Sequence, residues 1–176
     1  MVRLTSRSLR LDPLGVDDYP WLSALYADPE VMRYIGTGVR TEAQVRKNLD
    51  GLLAQAGRLS YGYWVLRSLR SGERLGGAAL MVRHEGMPVE LGFLLAREAW
   101  GRGFASEAAC ALVAHAFGAL ALPEVQAFTD ARHYASMAVL RKAGLRDAGL
   151  ATGPYGSQDR KFALTRPDWL AARAQP

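Results

Sequence analysis

The sequence predicts a single α/β (α+β) domain built on one mixed β-sheet flanked by helices, and three observations carry that prediction. The chain has 176 residues and a mass of 19.2 kDa, the size of one domain. Its composition, 49% hydrophobic and 22% charged, is that of an ordinary globular protein and excludes intrinsic disorder. Its apolar period changes along the chain, from helical spacing before residue 57 to strand-like runs over 61–95, and then to strands and helices in alternation. Residues 1–176 are therefore read as one domain, large enough to fold without a metal or disulfide.

The elements follow in order. Residues 7–12 alternate apolar and polar and predict a first strand. Asp17 and Asp18 open a helix whose Trp21, Leu22, Leu25 and Tyr26 share one face. Asp28-Pro29 starts a short helix, with Asp as N-cap and Pro at the first helical position. Thr41 leads into a helix carrying Val45, Leu49, Leu52 and Leu53, ended near Gly57. Segments 61–69 and 74–83 form a hairpin about Ser71-Gly72, and 88–95 adds a third strand after the turn at 84–86. Residues 105–119 predict a buried helix, 125–129 a strand, 134–143 a helix stopped by Gly144, and 161–165 a last strand. The tail at Asp168-Trp169-Leu170 is expected either to dock or to fray. The β-meander followed by βαβαβ implies one mixed sheet.

The charge is +5 with a pI near 9.7, and 19 of the 22 basic residues are arginine. Split at residue 88, the halves carry 12 basic with 9 acidic and 10 basic with 8 acidic residues. No stripe or arm collects the excess, so no nucleic-acid partner is expected. The N-terminal residues lack the apolar run of a signal peptide. The longest apolar stretch, 108–122, is too short to span a membrane. One cysteine, Cys110, fits a reducing, cytoplasmic setting and is expected to pack in the core. His84, His115 and His133 lack metal-ligand spacing, so no metal is expected.

The chemistry concentrates in residues 90–108, where a strand beginning at Glu90 runs through a glycine loop, Trp100-Gly101-Arg102-Gly103, into a helix. Exposed N–H groups at a helix start, approached through glycines, form an anion site. The loop matches neither a Walker loop nor a dinucleotide fingerprint. Segment 100–108 resembles the acetyl-CoA loop of the Gcn5-related N-acetyltransferases, closest to the ribosomal-protein N-terminal acetyltransferases (the RimJ/RimL type). Residues 133–145, with His133, Ser136, Leu140, Lys142 and Gly144, resemble that branch's second signature. Residues 28–34 resemble its N-terminal segment, so the likeness runs from about residue 7 to 165.

The resemblance implies a mostly antiparallel sheet of about six to seven strands with about four helices. It implies acetyl transfer from acetyl-CoA to a primary amine, on a protein N-terminus or a small molecule, by direct attack through a tetrahedral intermediate. Residue by residue, it gives the CoA diphosphate to the N–H groups of Arg102, Gly103, Phe104, Ala105 and Ser106. It gives the pantetheine arm to the backbone of Leu94 and Leu95, in a split between the strands of Glu90 and Val125. Trp100 and Gly101 complete the loop, with Trp100 standing where Gln or Arg is usual. His133 replaces the usual Asn. Glu90 is the expected base, with a paired strand carboxylate as its alternative. Ser136 is the expected acid toward the leaving thiolate, with a cofactor contact as its alternative, and a strand N–H near Leu94 would stabilise the oxyanion. Lys142, with Arg141, is a candidate for the 3′-phosphate or for the helix dipole alone. The acceptor is expected between residues 30–60 and the loop 149–158. A monomer or homodimer is expected, and a non-catalytic acyl-CoA-binding sensor is the rival function.

Overall fold

The computed structural model describes residues 2–54, 60–82 and 85–174. Eight strands are hydrogen-bonded into one sheet among them: β1 (Leu4–Thr5), β2 (Leu9–Pro13), β3 (Ser60–Ser68), β4 (Arg74–Met81), β5 (Val89–Leu95), β6 (Glu124–Thr129), β7 (Arg146–Thr152) and β8 (Gln158–Thr165). Six helices accompany them: α1 (Tyr19–Ala27), α2 (Pro29–Met32), α3 (Glu42–Ala54), α4 (Phe104–Gly118), α5 (Tyr134–Lys142) and α6 (Arg166–Ala174). The strand order is β1-β2-β3-β4-β5-β6-β8-β7, and every pair is antiparallel except β5 with β6.

The predicted mixed, mostly antiparallel sheet is present, with more strands and helices than expected. Strand β7 was not anticipated, because its residues are mostly exposed and carry no apolar alternation around Gly149. The tail forms α6, whose Trp169 rests 5.6 Å from Phe117, centroid to centroid. The predicted end of α3 near Gly57 and the turn residue His84 lie outside the described residues.

The period of two along each strand divides the core. Trp64, Leu66, Leu80, Leu91 and Leu95 face α4 and α5, where they meet Leu112, Phe117 and Met137, with Phe162 of β8 in the same cluster. Tyr63, Val65, Ala79 and Leu94 face the other way, onto Leu22 and Leu25 of α1 and Val45 and Leu49 of α3. Local signals end the helices. The Asp28 side chain accepts from the Glu30 N–H at 2.8 Å and caps α2. Gly144, at φ +93°, stops α5 while the Leu145 N–H bonds back to the Leu140 carbonyl.

Helix α4 is covered on one side only. Cys110 is exposed, against the expectation that it packs in the core. The helix is Ala-rich, and its buried residues are Phe104, Ala108, Ala109, Leu112, Val113, Ala116 and Phe117.

Glu107, in the first turn of α4, ties this helix to the start of the sheet. Its carboxylate accepts from the Ser6 hydroxyl at 2.7 Å and from the Ser8 N–H and hydroxyl, each at 2.5 Å. Burial pushes this carboxyl up, but the Ser8 and Ser6 bonds outweigh it and hold it below its usual value. A group lowered in this way stabilises the fold above its unfolded value, near 4.3, and loses that contribution as pH falls through its folded value. Glu107→Ala is expected to cost about 1–3 kcal/mol at pH 7 by urea unfolding. The difference from the parent should shrink as the acid limb is entered; a gap independent of pH down to acid unfolding would contradict this role.

Candidate active site

The site is created by a break in the sheet. β5 and β6 pair at two positions only, Val89 with Val125 and Glu90 with Gln126. Beyond them β5 stays with β4 as far as Leu95, and β6 stays with β8 as far as Thr129. Residues 91–95 therefore have a partner on one side and an open edge on the other. A cleft of about 1160 Å³ opens there. Its wall includes Glu90 to Leu94, Ala127 to His133, Ser136 and Leu140, with Tyr34, Arg40 and Tyr63 on the α1–α3 side and Pro154 and Tyr155 from the β7–β8 loop.

The ladder decides which main-chain groups face the split. The Ala96 N–H donates to the Leu75 carbonyl across β4 and β5, and the register then alternates through Leu94 with Gly77. In an antiparallel ladder the hydrogen-bonded pairs recur every second residue. The N–H and C=O of Leu94 thus turn toward β4, and those of Phe93 and Leu95 turn toward the split. A Cβ on Gly76 would run into the Leu94 carbonyl, which shows the same orientation. The Leu94 main chain therefore faces β4 and not the split, where it was expected to meet a ligand. The Phe93 main chain faces the split, while the buried Leu94 side chain lines the cleft. The Leu95 carbonyl accepts the Trp100 indole N–H at 2.9 Å, so Trp100 closes the end of the open edge.

The glycine loop meets its expected geometry. Gly101 and Gly103 have φ of +69° and +81°, and a Cβ at either would touch nothing within 4 Å. Glycine is needed here for the left-handed conformation and leaves room above the loop. Gly103 is the N-cap of α4 and provides no side-chain cap. Its carbonyl accepts the Glu107 N–H, so the N–H groups of Phe104, Ala105 and Ser106 precede the first helical bond and have no acceptor among the described residues. Arg102 lies with its guanidinium 4.8 Å from the centre of the Phe104 ring. The loop follows the end of the open edge, and none of residues 100–106 is in the cleft wall. Lys142 is exposed and also lies outside the wall.

Glu90 is 5% exposed and sits at the foot of the split, where β5 and β6 part. It alternates with Leu91 and so shares the α1–α3 face of the sheet with Leu94. Ser136, 9% exposed, looks in from the first turn of α5. His133 precedes it as N-cap and stacks on Tyr34 at 4.7 Å. Burial lowers the His133 pKa, with Asp130 partly opposing, so its imidazole is neutral at pH 7. Asp130 itself is held at about 2 by side-chain and backbone bonds with Arg132. The structure thus brings Glu90, Ser136 and His133 into one cleft wall and ties Trp100, before the α4 N-terminus, to the end of the open edge at Leu95. Tyr34 lies in the segment expected to grip the acceptor, whereas Tyr63 and Phe93 are wall residues that the sequence did not single out.

Comparison with known proteins agrees with this arrangement. Residues 8–146 match the model of the acetyltransferase (GNAT) domain. The YkkB protein of Bacillus subtilis is 32% identical over 69% of this chain and 71% of its own. An FsC-acetyl coenzyme A-N(2)-transacetylase of Aspergillus fumigatus is 30% identical over 95% of this chain and 77% of its own. Among solved structures, the RimL α-N-protein acetyltransferase of ribosomal L7/L12, in complex with coenzyme A, superposes with a TM-score of 0.79 at 16% identity. It covers 93% of this chain and 98% of its own. The split sheet, the glycine loop and the domain match over most of the chain together establish that the protein belongs to the GNAT acetyltransferase family.

Proposed function

We propose that this protein is an acetyl-CoA-dependent N-acetyltransferase acting on a primary amine. One observation carries the reading: the open β5 edge and the buried Glu90 line one cleft, and the Trp100–Leu95 hydrogen bond joins the end of that edge to the loop before the uncapped start of α4. The RimL neighbour holds coenzyme A, and the Aspergillus relative is named for acetyl coenzyme A. The residues present here fit such a donor. The free N–H groups at the start of α4, above glycines with no Cβ to intrude, suit a diphosphate. Phe93 and the Leu95 N–H offer strand-like bonds to an extended amide arm. Bound acetyl-CoA would supply an acetyl group activated as a thioester.

The chain's own task is to handle protons. An α-amino group has a pKa near 8 and a lysine amine one near 10.4, so an acceptor arrives mostly protonated at pH 7. Glu90, at the foot of the split, takes that proton, directly or through a water. The Phe93 N–H faces the side on which negative charge develops and stabilises it. The Ser136 hydroxyl returns a proton to the departing sulfur. A thiol is already a fair leaving group, with a pKa near 8.5, so Ser136 contributes less than Glu90. His133, neutral and stacked on Tyr34, orients the arm as a hydrogen-bonding group and carries no charge.

Two measurements check the reading. Acetyl-CoA at about a hundred times its Kd should stabilise the protein by about 2.7 kcal/mol, a rise in Tm of about 5–10 °C. In Gly103→Val the shift should vanish; an unmoved Tm of the native protein at millimolar acetyl-CoA would overturn the assignment. In a thiol-release assay over amines and N-terminal peptides, Glu90→Gln should lower kcat about a hundredfold while the Tm shift with acetyl-CoA persists. Unchanged turnover would remove Glu90 as the base.

A further inference from the structure

Among the polar groups of the cleft wall that the proposed chemistry does not use, two stand together on the acceptor side. The first is the Tyr63 hydroxyl. Tyr63 is 3% exposed and lines the cleft, with Tyr26 as its polar neighbour, yet among the described residues its oxygen has no partner in good hydrogen-bond geometry. It lies over Gly77, where a Cβ would collide with it, so glycine at 77 makes its position possible. Burial raises this phenol well above its usual value; Tyr26 adds to the rise and the charge of Arg40 opposes it. It is therefore a neutral hydroxyl at any physiological pH. An orphaned hydroxyl in a dry wall is costly unless something entering the cleft bonds to it.

The second group is Arg40. Its guanidinium stands 5.3 Å from the centre of the Tyr26 ring and 5.7 Å from that of Tyr155, and one N–H donates to the Tyr155 hydroxyl at 2.9 Å. No carboxylate of the described residues pairs with it. The three carboxylates of the wall are placed elsewhere: Glu90 at the foot of the split, Asp130 held by Arg132, and Asp159 bonded by the Ser157 hydroxyl. A guanidinium flanked by aromatic rings and offering unspent donors is a good receptor for a carboxylate.

We infer that Arg40 and the Tyr63 hydroxyl form an anion-binding end of the acceptor cleft, so that the preferred acceptor is an amine that also carries a carboxylate. The inference rests on the proposed acetyltransferase reading and names its substrate class. The register also sets a span. Gly77, under the Tyr63 hydroxyl, is opposite Leu94, and Met81 is opposite Glu90. Those levels are four residues apart, or about 13 Å along the strand. The amine attacks between Glu90 and the Phe93 N–H, so its distance from a carboxylate held near Tyr63 is at most this span, as in an amino acid or a dipeptide. A diamine would put a second cation against Arg40.

The test is turnover with acetyl-CoA of the ω-amino acids from glycine to 6-aminohexanoate, each beside its amide, and of 1,5-diaminopentane. The free acid should exceed its amide by about tenfold or more in kcat/KM for at least one chain length in the series. Arg40→Gln and Tyr63→Phe should each bring that ratio down to about twofold through KM, with the acetyl-CoA Tm shift unchanged. Binding is read separately, as the further Tm shift that 6-aminohexanoate and its amide give the CoA-loaded protein. Amides or the diamine serving as well as the acids, or an acid preference that survives both substitutions, would overturn the inference and leave the acetyltransferase reading standing. Equal shifts from acid and amide would overturn it equally. Loss of both the acetyl-CoA shift and all thiol release would instead bring down the acetyltransferase reading.

Discussion

Strand β5 is paired with β6 at its first two residues and with β4 alone over the next five, and the rest of the site depends on that change. Main-chain N–H and C=O groups left without partners in a protein interior are costly. Here they are concentrated along one edge, where a ligand with amide groups can take them up. The sheet tolerates the gap because both strands keep antiparallel partners beyond it, β4 on one side and β8 on the other. The two apolar clusters hold the faces closed while the edge stays open. Trp100 marks the end of the gap by donating its indole N–H to the Leu95 carbonyl. The α4 N-terminus then adds a second set of unpaired donors just beyond it.

The arginine bias takes a different meaning once the partners are known. Arg67 bridges Asp12 at 3.2 Å and Asp18 at 2.6 Å, Arg74 joins Asp18, and Arg3 and Arg10 hold Asp12. Burial raises the Asp12 carboxyl, but the bonds from Arg10 and Arg3 outweigh it and keep it ionised. Arg132 is spent on Asp130 and Arg160 on Asp147. Much of the positive charge therefore braces β2, β3, β4 and the loops rather than forming a surface stripe. Arg40 is different because it sits between two tyrosine rings in the cleft wall without a carboxylate.

What could be read from the sequence, and what could not, follows from the range of each signal. The glycine loop was legible because Gly101 and Gly103 occupy left-handed conformations that other residues avoid, and the need is local. Asp28-Pro29 and Gly144 were legible for the same reason. The exchange of Leu94 for Phe93 was not, since it depends on the register with β4, set by residues far away in the chain. Strand β7 escaped because an exposed edge strand needs no apolar alternation. Cys110 misled because an Ala-rich helix looks apolar on every side while the sheet covers only one. Tyr63 reads as an ordinary core aromatic, and only the fold reveals a hydroxyl without a partner.

Amide hydrogen exchange, read residue by residue with and without CoA, tests the open edge most directly. The N–H groups of Phe93, Leu95, Phe104, Ala105 and Ser106 are expected to exchange freely in the protein alone and to become protected when CoA binds. The Leu94 N–H, already bonded toward β4, should be protected in both states. Protection gained by Leu94 while Phe93 and Leu95 remain unchanged would contradict the account.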